Sequence, residues 1–199
     1  MCIIFLYNGE NDKESDFRLI VASNRDEYFS RAAHCLAAWK ENSNIYGGRD
    51  FQSGKEEGTW FGINIELKKI GVLLNLPGTT GENVISRGNI VSEYLMNVTP
   101  ASKYIETLQT VNKYNGFVLV TAEFSQLPDP QLEKRKPKMF KELSSIHVRI
   151  QEQYGTRAHT LFILTKSGHI DLIEVSLESP INLENPTWKR SEYQFNIYY

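Results

Sequence analysis

An apolar run, Leu19-Ile20-Val21-Ala22, is followed one residue later by four consecutive polar side chains, Asn24-Arg25-Asp26-Glu27. A short apolar run bounded by polar residues reads as a buried strand. Ahead of it lies a polar stretch, Asn8 to Asp16, and ahead of that a second apolar run, Ile3-Ile4-Phe5-Leu6-Tyr7. The spacing predicts a hairpin: strand 3–7, turn 8–16, strand 17–22. Antiparallel pairing returns the end of the second strand to the start of the first, so Asn24-Arg25-Asp26 should lie near Cys2. The polar cluster is then expected where the strand ends, a place where a sheet holds the backbone rigid and side chains enter a cleft. A strand-terminating turn with a solvated ion pair accounts for the same residues without function.

Cys2 adds a chemical argument. Methionine before a small residue is normally removed, which would leave Cys2 with a free amine beside its thiol. That pair is a nucleophile carrying its own base. The alternative is a buried cysteine acting as a small apolar residue.

Composition narrows the classes. The 199 residues suit one domain, and a chain that is 41% hydrophobic and 23% charged should be globular. A formal net charge of −2 offers no argument for nucleic acid or an anionic membrane surface. Two cysteines, Cys2 and Cys35, are too few for a disulfide framework and fit a reducing compartment. The first apolar run is too short for a membrane span and has no basic leader, so neither a signal peptide nor a matrix-targeting peptide is expected. His34 and Cys35 are adjacent and do not share a helix face, so no metal site is expected.

Further along, Arg31 to Trp39 is expected as a short helix or an irregular segment covering the site. Ile45-Tyr46-Gly47-Gly48-Arg49-Asp50 reads as a glycine-containing turn. A third strand is expected up to Asn64 and a fourth over 70–75. Asn75 then stands at a strand end before Leu76-Pro77-Gly78, as an oxyanion donor or as an Asx turn. Apolar positions at helical spacing predict helices over 86–97 and 102–112. Strands are expected over 117–122, 160–165 and 169–175, with a hairpin turn at Ser167-Gly168. A short helix is expected over 143–150, and an edge strand in the tail with 193, 195 and 197 on one face. The basic run Glu133 to Lys141 reads as a solvated face.

Taken together, several motifs resemble the family of transport and Golgi organisation protein 2, known for its N-R-D-E motif. They are Met1-Cys2-Ile3-Ile4-Phe5, Ala22-Ser23-Asn24-Arg25-Asp26-Glu27-Tyr28-Phe29-Ser30-Arg31 and Gly54 to Ile63. Tyr114-Asn115-Gly116-Phe117, Leu127-Pro128-Asp129-Pro130, Tyr154 to Thr160 and Tyr193-Gln194-Phe195 complete the set. The resemblance implies an α/β (α+β) fold, an Ntn-hydrolase-like αββα sandwich of mostly antiparallel strands. Within that superfamily, cysteine acylases carry catalytic residues matching Cys2, Arg25, Asp26, Asn75 and Arg157, with the Arg and Asp spaced differently. The resemblance further implies a single domain over 1–199 with an internal deletion near 124–127, because Ala122 to Ser125 runs almost directly into Leu127-Pro128. The sandwich should then be incomplete in the middle.

For function, the resemblance implies a non-catalytic trafficking protein linked to haem mobilisation, protein secretion, Golgi organisation and mitochondrial and lipid homeostasis. No cofactor is required; haem is a candidate transported ligand. Asn24, Arg25, Asp26 and Glu27 would form the ligand site, with Arg25 pairing propionates and Cys2, His34 or His159 as an axial ligand. The alternatives are an N-terminal cysteine amidohydrolase or thioesterase, and an acyl-CoA or other lipid-binding protein. Expected partners are haem or an acyl lipid, with no nucleic acid, no transmembrane segment and peripheral membrane association. The expected location is the cytoplasm, with Golgi and mitochondrial association.

Overall fold

The computed structural model describes residues 2–51, 58–76, 78, 84–109, 114–124, 149–150, 154–182 and 184–197. Its strands are β1 Ile4–Asn8, β2 Phe17–Tyr28, β3 Ala33–Ala38, β4 Ile45–Asp50, β5 Phe61–Asn64, β6 Lys69–Asn75, β7 Phe117–Glu123, β8 Arg149–Ile150, β9 Tyr154–Thr165, β10 His169–Leu177 and β11 Trp188–Asn196. Two helices, α1 Gly88–Met96 and α2 Ala101–Gln109, are described between β6 and β7. The strands form two sheets. One runs β1-β2-β9-β10-β11, with β8 also pairing β9; the other runs β3-β4-β5-β6-β7. Each pairing between these strands is antiparallel. The fold is α+β and mostly antiparallel sheet.

Alternation of side chains builds the core between the sheets. Leu19 and Val21 of β2, Phe162 and Leu164 of β9, and Ile170 and Leu172 of β10 are buried on one face. They meet Phe61, Ile63, Ile70 and Val72 of the second sheet, together with Leu36 of β3. Burying one such side chain contributes about 1.5–3 kcal/mol. A second core lies on the far side of the second sheet, where Ile90, Val91, Tyr94 and Leu95 of α1 pack with Ile45, Leu73 and Trp39. Those four positions show the expected helical spacing. Gly62 makes this approach possible: a Cβ there would lie 2.6 Å from a Leu95 methyl. The resemblance implies helices outside both sheets; among the described residues, helices cover the second sheet only.

Several expectations need correction. β2 does not end before the polar cluster but runs through it to Tyr28, because β9 pairs along its whole length, from Phe17 opposite Thr165 to Tyr28 opposite Tyr154. A register shift between Arg25 and Asp26 replaces the expected strand end. Arg31 to Trp39 is neither helix nor irregular cover: it contains β3, held as an edge strand by pairing with β4. The glycine-containing segment 45–50 is β4 and not a turn, since its backbone pairs on both sides. Of the helix expected over 143–150, residues 149–150 are strand β8, paired with β9; 143–148 lie outside the described residues. So do the basic run 133–141 and, of the junction expected near 124–127, residues 125–127. Gly168 takes a φ of +88° in the β9–β10 turn, where glycine is unstrained.

Candidate functional site

A cavity of about 290 Å³ is lined by both sheets and the start of α1. The first sheet supplies Cys2, just ahead of β1, and Arg25, Asp26 and Glu27 of β2. The second supplies Asp50, Trp60 and Asn75; Arg87 and Gly88 come from the start of α1. The long hairpin of β1 and β2 is what brings Cys2 to Asp26. The Asp26 N–H donates to Cys2 Sγ at 3.5 Å, and the thiol reaches the Asp26 carbonyl at 3.7 Å. Burial pushes the Cys2 thiol up, which keeps it protonated.

The charged groups divide unevenly. Arg31 joins Glu27 at 2.8 Å and also engages Asp50 through two nitrogens. Asp26 accepts the Thr156 hydroxyl at 2.8 Å. Arg25, only 5% exposed, holds its guanidinium carbon over the Trp60 ring, 4.2 Å from its centre. Its side chain makes no hydrogen bond or ion pair with any described residue. Burial, with Arg31 as a lesser cause, lowers its affinity for the proton, while Glu27 and Asp50 act the other way at longer range. Arg87 donates one nitrogen to the Gly116 carbonyl at 2.6 Å.

Of the residues named from the sequence, Cys2, Arg25, Asp26, Glu27 and Asn75 line this cavity, with Asn75 exposed at its edge. Asn24 and Arg157 do not. Asn24 points to the outer face of the first sheet, where its Oδ1 meets His159 Nδ1 at 2.9 Å. Arg157 braces the chain after β2: it donates to the carbonyls of Tyr28 and Arg31 and to Ser179 Oγ. Burial, and then the neighbouring Arg25, push its pKa down to about 10. The three candidate axial ligands are also separated. His34 packs edge-on against Phe51, and His159 stacks on Trp188, so only Cys2 faces the cavity. Among the described residues no group of three or more His, Cys, Asp or Glu could hold a metal ion.

Arg87, Asp50 and Glu174 were not anticipated. Arg87 lies within a stretch that the sequence marks only as a helix start. Glu174 had a visible signal. The inward positions of β10 are Ile170 and Leu172, and a glutamate follows at the next inward place. It is 1% exposed and accepts the Leu36 N–H at 2.7 Å and the Thr160 hydroxyl at 3.0 Å.

The family model described as Transport and Golgi organisation 2 matches residues 1–128 and 123–179. The chain belongs to the Transport and Golgi organisation 2 family. It is 34% identical to Transport and Golgi organization protein 2 of Drosophila melanogaster over 137 residues, 65% of this chain and 48% of that protein. The Bos taurus homolog is 33% identical over 127 residues and the Mus musculus homolog 35% over 128; each match covers 63% of this chain and 46% of the relative. The chain thus spans about half the length of the curated relatives it matches. The two family-model segments meet at 123–128. Among the described residues, no helix is long and apolar enough to cross a membrane.

Proposed function

We propose that this member of the Transport and Golgi organisation 2 family is a carrier, taking part of a haem or acyl-lipid molecule into the cavity beside Cys2 and Arg25. It moves that molecule between the cytoplasm and Golgi or mitochondrial membranes, touching them peripherally. One observation carries this reading: the cavity gathers reactive residue types but holds the thiol in an unreactive state. Cys2 is protonated and tied to the Asp26 backbone, whereas a nucleophile needs its thiolate. At about 290 Å³ the cavity is near the lower limit of small-molecule pockets, which suits one end of a ligand. The same reading takes the chain as one domain, shortened near 124–127; the two matched segments that meet there support it.

Haem titration of the purified chain, followed by absorbance and by quenching of Trp60 fluorescence, tests the carrier. Saturable binding is expected. Because Cys2 is held as a thiol and both histidines face away from the cavity, Cys2→Ala, His34→Ala and His159→Ala should each leave the spectrum of the bound haem unchanged. Spectra that match those of free haem throughout would sink the haem form of the proposal.

A second reading is an N-terminal cysteine hydrolase, favoured by the meeting of Cys2, Arg25, Asp26 and Asn75 at one cavity. Cys2 would attack an acyl carbon, its freed amine would act as base, and Asn75 would stabilise the oxyanion. It requires removal of Met1, which intact-mass measurement reads directly. Turnover of a thioester that is lost in Cys2→Ala would favour this reading over the carrier.

A further inference from the structure

We propose that Cys35 is a site of reversible oxidation, taking one oxygen atom from a peroxide into a small cavity whose lining already holds the donors to receive it. The proposal concerns a second cavity and does not depend on what the larger one carries.

This second cavity measures about 10 Å³ and lies where edge strand β3 meets β9 and β10. Cys35, Arg157, Glu174 and Ser176 line it; Trp60 and Arg25 line both cavities. The space is at the lower limit for one water molecule, so it suits a single oxygen atom and no organic ligand.

Three buried atoms of these residues, Arg157 Nε, Ser176 Oγ and Trp60 Nε1, have no hydrogen-bond partner among the described residues. Arg157 is 3% exposed and Ser176 6%. Buried donors are nearly always satisfied, and each orphan costs stability. Three of them around one water-sized space point to an acceptor that enters it. The neighbouring groups leave these donors free. Arg157 uses its other nitrogens on the Tyr28 and Arg31 carbonyls and on Ser179 Oγ. The Glu174 carboxylate accepts the Leu36 N–H and the Thr160 hydroxyl. Ser176 Oγ is near enough to act on that carboxylate but makes no hydrogen bond of normal geometry with it.

Cys35 is the lining residue that can supply the acceptor. Its thiol is free and half-buried, within reach of a small oxidant. Its charge, once ionised, acts on the Arg157 guanidinium, which places the sulfur within electrostatic reach of that cation. Partly exposed thiols beside cations are the ones that oxidise selectively. Cys2 provides the contrast, since burial pushes its thiol up and the Asp26 backbone holds it.

The step balances with hydrogen peroxide as oxidant. The Cys35 sulfur attacks one peroxide oxygen, an S–O bond forms and the O–O bond breaks. The departing hydroxide takes the thiol proton and leaves as water. Sulfur gives up two electrons and the peroxide accepts them. The product is a sulfenic acid, whose oxygen can accept from the donors of Arg157, Ser176 and Trp60. A small thiol such as glutathione then displaces that oxygen as water, forming a mixed disulfide, and a second thiol releases Cys35.

The test treats the purified chain with hydrogen peroxide, removes the excess with catalase, and adds dimedone, which labels sulfenic acids, after increasing delays. Peptide mass spectrometry locates and counts the label. It should sit on Cys35, stay absent from Cys2, and disappear in Cys35→Ser or when reduced glutathione precedes the dimedone. Ser176→Ala loses no hydrogen bond of the resting protein, so it should melt as the parent does. It should nevertheless shorten the lifetime of the sulfenic acid about threefold or more, the worth of one hydrogen bond. Trp60→Phe should shorten it as well. Equal label on Cys2 and Cys35, or none on Cys35, would overturn the proposal. So would a lifetime unchanged in both Ser176→Ala and Trp60→Phe, which would make Cys35 an ordinary thiol without a prepared cavity.

Discussion

Glu174 shows how a single residue can set a pH dependence. It is buried between the sheets, and burial pushes its carboxyl up; bonds from Leu36 and Thr160 and the charge of Arg25 oppose this without cancelling it. A carboxyl with a raised folded pKa binds protons that the unfolded chain has already released. Stability is therefore greatest below the unfolded value, about 4.3, and falls as pH rises from there towards the folded value. Glu174→Gln keeps an acceptor for the Leu36 N–H and removes the titration. Urea midpoints measured from about pH 4.3 to neutrality should fall in the parent chain and stay flatter in the variant. Parallel slopes would show that Glu174 is not the group responsible. Arg157 is a second residue whose role follows from its contacts. Arg157→Met would leave the Tyr28 and Arg31 carbonyls without this donor, and a loss of about 1–3 kcal/mol in denaturant unfolding is expected. The sequence placed Arg157 with the catalytic set by resemblance; its bonds to backbone carbonyls were invisible there, because they depend on the turn that follows β2.

At the scale of elements, β1 and the facing glycines of β4 and β5 carry the clearest expectations. Ile3 accepts the Asn24 N–H and Gly9 donates to the Arg18 carbonyl, so odd-numbered residues of β1 bond to β2. The backbone groups of Ile4, Leu6 and Asn8 then point to the free side of the sheet, where no described strand pairs. Phe5 at 47%, Leu6 at 49% and Tyr7 at 37% exposure make this edge apolar, with no charge or proline to discourage pairing with another chain. Sedimentation should show association that grows with protein concentration, and Leu6→Lys should suppress it without lowering the melting temperature. A parent chain that stays monomeric at high concentration would contradict this. Gly47 faces Gly62 across β4 and β5. A Cβ on Gly47 would come within 2.7 Å of the Phe61 carbonyl oxygen, a backbone atom that cannot turn aside. Gly47→Ala should cost about 1–3 kcal/mol, the usual penalty for overpacking, read from a shift in the urea midpoint.

Over the whole molecule, the second sheet joins two cores. One side of it meets the first sheet, with Trp60 packed against that core; the other meets α1, with Trp39 buried there. Each core shares strands with the other, so neither can be lost while the other stays intact. Unfolding is expected in one transition, with coincident midpoints for Trp39→Phe and Trp60→Phe variants that each silence one reporter. Separate midpoints would mean that the cores unfold independently and that the chain is not one cooperative unit.

Much of this protein was legible along the chain. Short apolar runs at spacings of two predicted most strands, and spacings near 3.6 predicted both helices, because these periods follow from local backbone geometry. The hairpin that returns Asp26 to Cys2 was legible for the same reason, as both strands and their turn are contiguous. The family was legible too, since its motifs are local runs such as Asn24 to Glu27. Tertiary structure decided the rest. β2 continues through its polar cluster only because β9, more than a hundred residues later, pairs with it there. β3 and β4 are strands because they pair with one another and β4 also pairs with β5, which outweighs their glycines and weak local signal. Cavity membership was likewise a tertiary decision: Asn24 and Arg25 are neighbours in sequence, yet side chains alternate across a strand, so one faces His159 and the other the cavity. Local periodicity specifies which face a residue takes, and only the arrangement of sheets and helices specifies what that face meets.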